Sequence, residues 1–342
     1  MSLVITHGYL LTGTGSNLYV NNLVRELAKV GKEVNLLCQD FDPMAIDFVN
    51  EYYEFNTENT EYKLVGEKSS SFPGKVRVFK PNLNGFLPVY VYDHYDGYEV
   101  KEFPSCTYEE VASYVTQNKN ALELVVVDFK VEVVNTNHLV MFPHIATLVK
   151  ETTGVRHLIT VHGSALNFTV KKDKRFEEFA KNSLVKADEI IVDSLHADNE
   201  LKEFLDDVDL SYLKEKVEII PAGVDVTSFF LPTAPAEEMI QDFQDKIALK
   251  VLTSKGRTTE QTEGILNNEA SVQEVINSVE QLRADYDYRN VDQDVVAKVE
   301  TLKDGTHRIM FVGKYLWTKG LHLIIFGIPK VLKQFPKAKF VF

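Results

Sequence analysis

The pattern at the start of the chain, a short strand followed by a glycine-rich loop, a helix and a second strand, most limits the possible fold. Residues 3–6 are apolar, and apolar positions recur at helical spacing in residues 18–30. Gly31 ends this helix, and residues 33–38 have the pattern of the next strand. We therefore predict a βαβ unit in residues 2–38, and such units build parallel sheets.

The same alternation of strands and helices resumes at residue 131. The predicted strands are residues 131–134, 155–161, 189–192 and 217–220, and the predicted helices are residues 137–150, 168–185 and 195–205. Such alternation is typical of an α/β fold. We therefore expect a doubly wound, mostly parallel, Rossmann-like sheet, which binds ligands at the carboxyl ends of its strands.

Residues 40–105 are rich in turns and in aromatic side chains. Residues 76–79, 87–92 and 98–103 are predicted strands separated by Pro, Gly and Asp, and they suggest an antiparallel ribbon or an extra sheet edge. A helix is predicted in residues 108–124, because Thr107 and Glu110 have the spacing of a capping box.

The last third of the chain changes in character. Helix-like stretches separated by charged segments predict a helical insertion, and they lie at residues 237–252, 258–266, 271–285 and 292–302. A strand at residues 309–312 and a helix after Gly320 open a second βαβ unit. The predicted domains are residues 1–230, a helical insertion or linker at 231–305, and the truncated beginning of a second Rossmann-like domain at 306–342.

Composition excludes several classes of protein. The formal net charge of −13 disfavours nucleic acid as the main partner. No stretch approaches the ~18 apolar residues of a membrane span, and the N-terminus has no basic signal-peptide region. Cys38 and Cys106 fit no metal-ligand spacing and are expected to be buried or half-buried thiols of a reducing compartment. We therefore expect a cytoplasmic protein, whose oligomeric state the sequence leaves open.

Residues suited to ligand binding follow three of the predicted strands. Gly13 and Gly15 would let the backbone approach a ligand, although the loop lacks the third glycine of a dinucleotide fingerprint. His162, followed by a glycine, ends one strand, and His138 ends the preceding one. Both histidines are expected at the ligand-binding edge, where a structural role is the alternative, above all for His138.

A second candidate site precedes the last helix. Lys314 and Lys319 lie in a loop without acidic residues that leads into a helix start. Free backbone N–H groups at a helix N-terminus carry partial positive charge, so this loop would suit a phosphate or diphosphate. An ordinary solvated loop is the alternative.

Four segments of the chain, in this order, resemble the motifs of glycosyltransferase family 4. They are residues 15–34, Thr160-Val-His-Gly, Ile220-Pro-Ala-Gly-Val-Asp and Phe311-Val-Gly-Lys-Tyr-Leu-Trp-Thr-Lys-Gly. The resemblance covers most of the chain except the helical insertion. It implies a GT-B fold and a retaining, metal-independent transferase without a cofactor. Such an enzyme moves a sugar from a nucleotide sugar to a carbohydrate or other hydroxyl acceptor, at a site between two Rossmann-like domains.

The resemblance also assigns roles to residues. Lys314, where the family has Arg, and Lys319 would bind the donor diphosphate together with Gly13 and Gly15. The Arg-to-Lys change keeps the charge but loses the bidentate fork. His162 would orient the transferring sugar by a hydrogen bond. The acceptor-side residues would be Asn17 and His138, which places the acceptor on the domain at residues 1–230.

The chain also departs from the family. It ends before the paired glutamates that hold the sugar and the ribose, so we expect an incomplete, inactive fragment. Three alternatives remain: a nucleotide-sugar epimerase of the same fold, a non-catalytic glycan- or nucleotide-binding module, and a metal-dependent transferase. The last would use one of the Asp-x-Asp triplets, which lie at residues 207–209, 285–287 and 292–294.

Overall fold

The computed structural model describes residues 2–205, 213, 215–226, 229, 233–252, 256–258, 271–285, 291–304, 307–313, 315 and 317–342. The chain divides into two compact units, Met1–Val224 and Asp225–Phe342, and each is described by itself. The first unit is built around a nine-stranded sheet, and the second contains helices and a two-stranded sheet.

The sheet of the first unit is doubly wound and almost entirely parallel. Its strands are β1 (Ser2–Thr6), β2 (Glu33–Leu37), β3 (Glu51–Phe55), β4 (Tyr62–Glu67), β5 (Lys75–Lys80), β8 (Val133–Asn137), β9 (Arg156–Val161), β10 (Glu189–Val192) and β11 (Val217–Ile219). Their order in the sheet is β11-β10-β9-β8-β1-β2-β5-β3-β4, and within it only β3 and β4 pair antiparallel. The predicted α/β fold class is confirmed.

Helices cover both faces of this sheet. They are α1 (Gly15–Lys29), α2 (Tyr108–Asp128), α3 (Phe142–Thr153), α4 (Gly163–Phe168), α5 (Lys174–Lys186) and α6 (Leu195–Phe204). Successive side chains of a strand point to opposite faces. Leu3 and Ile5 of β1 accordingly join the apolar cluster that contains Val24 of α1, whereas Val4 joins a second cluster that contains Ile145 of α3. Two buried cores therefore hold the sheet between helices.

Local signals explain where several helices begin. Thr107 and Glu110 form the predicted capping box, because each side chain accepts a hydrogen bond from the other residue's backbone N–H. The helix predicted at 168–185 corresponds to α5, which begins only at Lys174, and the separate short helix α4 ends at Phe168. Asp173 lies between them and caps α5 by accepting a hydrogen bond from the backbone N–H of Arg175 at 2.9 Å.

Two other predictions need correction. The expected antiparallel ribbon is instead a parallel pair, β6 (Phe86–Val89) with β7 (Glu99–Glu102), while β5 lies inside the main sheet. The helix predicted from residue 137 begins only at Phe142, because Asn137 still belongs to β8. His138 then adopts a left-handed backbone conformation with φ of 70°, which a helix does not allow.

The second unit contains α7 (Ala236–Val251), α8 (Val272–Asp285), α9 (Val295–Glu300) and a βαβ element made of β12 (Arg308–Met310), α10 (Leu321–Gln334) and β13 (Lys339–Val341). β12 and β13 pair in parallel, as a βαβ element requires. The helix predicted at 258–266 falls outside the described residues except for Thr258. Within the part of the chain that the structure describes, no helix has the length and apolarity needed to cross a membrane.

Candidate functional site

The sheet reverses its strand order between β1 and β8. From β1 the chain continues to β2 on one side, whereas β8, β9, β10 and β11 follow one another on the other side. In open α/β sheets ligands bind in the crevice at the carboxyl ends of the strands, at the point of this reversal. The three residues that follow β1, β8 and β9 here are His7, His138 and His162.

These three histidines form one cluster of rings. The ring centroids of His138 and His162 are 5.0 Å apart, and those of His7 and His138 are 6.0 Å apart. Tyr90 packs against His138 with a centroid distance of 4.5 Å, and Tyr19 of α1 packs edge-on against His162 at 5.0 Å. The sheet thus brings together two predicted site residues that are 24 positions apart in the sequence.

One asparagine fixes the orientation of His7. Nε2 of His7 lies 2.9 Å from Oδ1 of Asn17, and Nδ2 of Asn17 donates a hydrogen bond to the carbonyl oxygen of Thr12 at 2.6 Å. Only the amide nitrogen can donate to a carbonyl, so Oδ1 must be the acceptor and Nε2 of His7 carries the proton. Both polar atoms of the buried Asn17 side chain are therefore used within the protein.

His162 is held in the same way. Nε2 of His162 lies 3.1 Å from Oδ1 of Asn137, and Nδ2 of Asn137 donates to the carbonyl oxygen of Thr6 in the neighbouring strand at 3.1 Å. The same reasoning places the ring proton of neutral His162 on Nε2. Nδ1 keeps its lone pair, no hydrogen bond to it is found among the described residues, and the residue as a whole is half-buried. His162 can therefore accept a hydrogen bond from a ligand hydroxyl.

Burial keeps the cluster uncharged. Desolvation lowers the pKa of His7 to about 4, although the hydrogen bond with Asn17 opposes the shift. It also lowers the pKa of His162 to about 4, against the opposing charge of Asp193. The pKa of His138 falls well below its usual value because of burial and the neighbouring histidines. All three rings are therefore neutral at pH 7, and His162 is a poor proton-abstracting base and a good neutral hydrogen-bonding group.

The glycine-rich loop lies at the end of β1 and leads into α1. Gly13 has a left-handed φ of 93°, and Gly15 is the first residue of the helix. An added Cβ at either glycine would meet no atom of the described residues within 4 Å. The first turn of α1 contains no acidic residue, and the Thr14 side chain does not cap the helix. The exposed N-terminus of α1 therefore has the features of an anion site.

The predicted site residues differ in accessibility. His162 is half-buried, and Gly13 and Gly15 are exposed. Asn17 and His138 are buried, and both ring nitrogens of His138 lack a partner among the described residues. Lys319 is exposed in the second unit, immediately before α10, and Lys314 lies outside the described residues. The roles assigned to these residues from the sequence remain predictions.

Sequence reasoning missed four residues of this site, His7, Asn137, Tyr19 and Tyr90. His7 directly follows β1, as His162 follows β9, so the same strand-end argument could have found it. Asn137 ends β8, and its role depends on strand pairing, which places it beside Thr160 of β9. Tyr19 lies on α1, and only the packing of that helix brings it to His162.

Among the described residues, the hydrogen-bond partners of His7 and His162 are asparagines rather than acidic side chains. Among the residues described, no group of three or more His, Cys, Asp or Glu side chains could hold a metal ion. In the described triplet, Asp292 pairs with Arg257 at 3.0 Å and Asp294 pairs with Lys298. Asp207 and Asp209 of the first triplet and Asp287 of the second lie outside the described residues. Both cysteines are free and buried, as predicted.

No protein-family model matches the chain, and no curated protein matches its sequence. Among solved structures, one similar structure is a putative UDP-N-acetylglucosamine 2-epimerase from Listeria monocytogenes. The match covers 99% of the present chain and 61% of the epimerase chain, with 9% sequence identity and a TM-score of 0.40. A second is UDP-GlcNAc 2-epimerase from Neisseria meningitidis bound to UDP-GlcNAc. This match covers 100% of the present chain and 65% of the epimerase chain, with 11% sequence identity and a TM-score of 0.41.

A third similar structure is Glycyrrhiza uralensis UGT73P12 complexed with glycyrrhetinic acid 3-O-monoglucuronide. The match covers 100% of the present chain and 68% of the UGT73P12 chain, with 11% sequence identity and a TM-score of 0.39. The chain therefore spans less than two thirds of the length of the first two structures. Likenesses this distant do not distinguish between functions.

Proposed function

We propose that this chain binds a nucleotide sugar and belongs to a retaining, metal-independent glycosyltransferase of the GT-B type, similar to family 4. The observation that carries the proposal is the neutral His162 ring beside the reversal point of the sheet. Asn137 holds its Nε2–H, and its Nδ1 is left as an acceptor. A fixed neutral acceptor suits the orientation of a sugar hydroxyl better than it suits proton abstraction.

The glycine-rich loop supplies the second part of the proposal. In this proposal the N-terminus of α1, with Gly13 and Gly15, faces the phosphate groups of the donor. Stabilising negative charge on a leaving diphosphate is an electrostatic task that backbone N–H groups and a helix dipole can perform without a metal. We extend the proposal to Lys314 and Lys319, the charged residues that the motif resemblance assigns to diphosphate binding. A hydroxyl acceptor completes the reaction.

The test uses a substitution that separates binding from stability. Gly15→Asp adds a carboxylate to the first turn of α1. The carboxylate interacts favourably with the helix dipole and stabilises the helix, but it repels a bound phosphate group. We expect calorimetry with UDP, GDP and ADP to detect binding of one nucleotide, and Gly15→Asp to weaken it at least about tenfold without lowering the melting temperature. Ala236→Asp, at the first residue of α7, is the matched control and should leave binding unchanged.

Three results would contradict the proposal. The first is that none of the three nucleotides binds, and the second is that Gly15→Asp binds as tightly as the native chain. The third is conversion of UDP-GlcNAc into an epimer without any acceptor, which would favour the epimerase alternative. For the second unit, Lys319→Ala should weaken nucleotide binding by the ~1.5–3 kcal/mol of a charged hydrogen bond, whereas Lys330→Ala should not.

A further inference from the structure

A cavity of about 400 Å³ lies at the carboxyl ends of β2, β5 and β3, along the same sheet edge as the histidines. Its volume falls within the ~300–1,000 Å³ of typical small-molecule sites. None of the residues assigned to the candidate site lines it. Its lining includes aromatic, charged and amide side chains, namely Phe41, Glu54, Lys80, Asn82, Asp96 and Tyr98.

Hydrogen bonds connect the walls of the cavity. The hydroxyl of Tyr98 donates to Oε1 of Gln39 at 2.7 Å, and Nε2 of Gln39 donates to the carbonyl oxygen of Pro81 at 3.0 Å. The rim contains Gly85 and Gly97, with φ of 77° and 78°, a backbone region that glycine adopts without strain. Strand ends and a defined turn therefore form the cavity.

One wall is an exposed aromatic surface. Phe41 is 49% exposed although it is a large apolar side chain, and its ring lies 6.2 Å from that of Tyr98 at an angle of 40°. Nζ of Lys80 lies 5.3 Å from the centroid of Phe41. An exposed aromatic face next to polar groups offers an apolar contact surface for a ligand that also has hydrogen-bonding groups.

The polar groups of the cavity include both donors and acceptors. The Lys80 ammonium and Nδ2 of Asn82 are donors, whereas Oδ1 of Asn82 already accepts from the backbone N–H of Asn84 at 2.9 Å. Glu54 accepts from the hydroxyl of Tyr52 at 2.7 Å, and Asp96 accepts from His94 at 2.9 Å. Two carboxylates against one ammonium disfavour an anionic ligand.

We propose that this cavity binds a neutral saccharide, with the aromatic wall against the C–H face of a sugar ring and the polar groups around its hydroxyls. A hydroxyl both donates and accepts, so it can use Lys80 and Asn82 as donors and Glu54 and Asp96 as acceptors. Because the cavity lies on the edge that contains His162, but four strands away from it in the sheet order, we assign it as a distal subsite for the acceptor. This last assignment depends on the proposed transferase function, but saccharide binding itself does not.

The test measures saccharide binding by the full chain without any nucleotide. Maltose, cellobiose and lactose are the probes, and binding is followed by saturation-transfer NMR and calorimetry. At least one disaccharide should bind. Phe41→Ala should weaken that binding about tenfold and Lys80→Met several-fold, whereas Phe41→Tyr should retain it. Tyr108→Ala is the matched control, since Tyr108 is 72% exposed and has the Arg175 guanidinium over its ring but lies outside the cavity.

Other results would overturn the proposal. They are no binding of any of the three disaccharides, equal binding by Phe41→Ala and the native chain, or preferential binding of uridine, which would indicate a nucleobase site. Gly15→Asp separates the two proposals, because it should impair nucleotide binding and leave disaccharide binding unchanged. A chain that binds nucleotide but no disaccharide would contradict the saccharide cavity alone.

Discussion

The two units contain the same local arrangement in opposite surroundings. In the first unit, β1, α1 and β2 form a βαβ element whose helix buries Asn17, Val20, Val24 and Ala28. In the second unit, β12, α10 and β13 form the same element, yet no residue of α10 is buried. Phe326 of α10 is 78% exposed. The apolar pattern of a sequence therefore determines the helix, but neighbouring elements determine whether that helix is covered.

The neighbouring strands explain the difference. β1 pairs with both β2 and β8, and β2 pairs in addition with β5, so α1 lies over several strands. Within the described part of the second unit, β12 and β13 pair only with each other. The single tryptophan, Trp317, belongs to this unit, so its fluorescence reports on the second unit, whereas circular dichroism reports on both.

The largest effect is expected from adding one methyl group to a glycine. A Cβ on Gly74 would lie 2.4 Å from the carbonyl oxygen of Lys32 and 2.8 Å from Cα of Ala28, so Gly74→Ala should lower the free energy of unfolding by about 3 kcal/mol. At Gly327 in α10 a Cβ would meet nothing within 4 Å, and Gly327→Ala should stabilise the helix by up to about 1 kcal/mol. Chemical unfolding followed by tryptophan fluorescence and circular dichroism measures the free energy of unfolding of both variants. Equal changes for Gly74→Ala and Gly327→Ala would contradict the difference in packing between the two units.

Removing apolar side chains should show the same contrast on a smaller scale. Val24 is fully buried, and Val24→Ala should cost about 2 kcal/mol because it leaves a cavity. Leu323 of α10 is 67% exposed, and Leu323→Ala should change the free energy of unfolding by less than about 0.5 kcal/mol. A loss at Leu323 as large as that at Val24 would show that α10 is covered in solution.

Acidification should destabilise the first unit through its histidines. Their folded pKa values of about 4 lie below the usual 6.5, so the unfolded state binds protons first as the pH falls. The stability they contribute is fully present above pH 6.5 and is lost as the pH approaches 4. His7→Gln removes one of these groups and should make the slope of the free energy of unfolding against pH shallower in this window. An unchanged slope would show that His7 does not titrate this way.

The smallest expected change is local to one ring. Asn137→Asp places a carboxylate beside Nε2 of His162, which stabilises the imidazolium and should raise its pKa from about 4. NMR titration of the ring nitrogens measures this shift, and His157 in the same sample is an internal control, because burial rather than His162 lowers its pKa to about 3 and its midpoint should not move. If the His162 midpoint did not move, Asn137 would not be its partner in solution.

The sequence was sufficient for features that depend on nearby residues. The βαβ start, the capping box of Thr107 and Glu110 and the strand ahead of His162 each follow from short-range spacing, and the structure contains all three. The strands β3 and β4 were not predicted, because their side chains alternate poorly between apolar and polar. Long-range pairing also decided that β5 lies inside the sheet.

The candidate site was predictable only in part, for the same reason. His162 and the glycine-rich loop follow strands and could be recognised one by one. The hydrogen bonds of Asn17 and Asn137 join residues 10 and 25 positions away in the sequence, and no local pattern indicates them. Likewise, the sequence shows that Phe41 is aromatic, but only the folded chain shows that its ring is exposed at the mouth of a cavity.

The hydrogen bond from Asn137 to the Thr6 carbonyl affects which parts of the sequence can vary without moving the His162 ring. Because the imidazole is aligned through the registration of two adjacent strands, its orientation does not depend on any surface loop. Loops at this end of the sheet could be lengthened or exchanged while the ring stayed in place. A slip of one residue between β1 and β8 would instead turn Asn137 to the opposite face and release the ring.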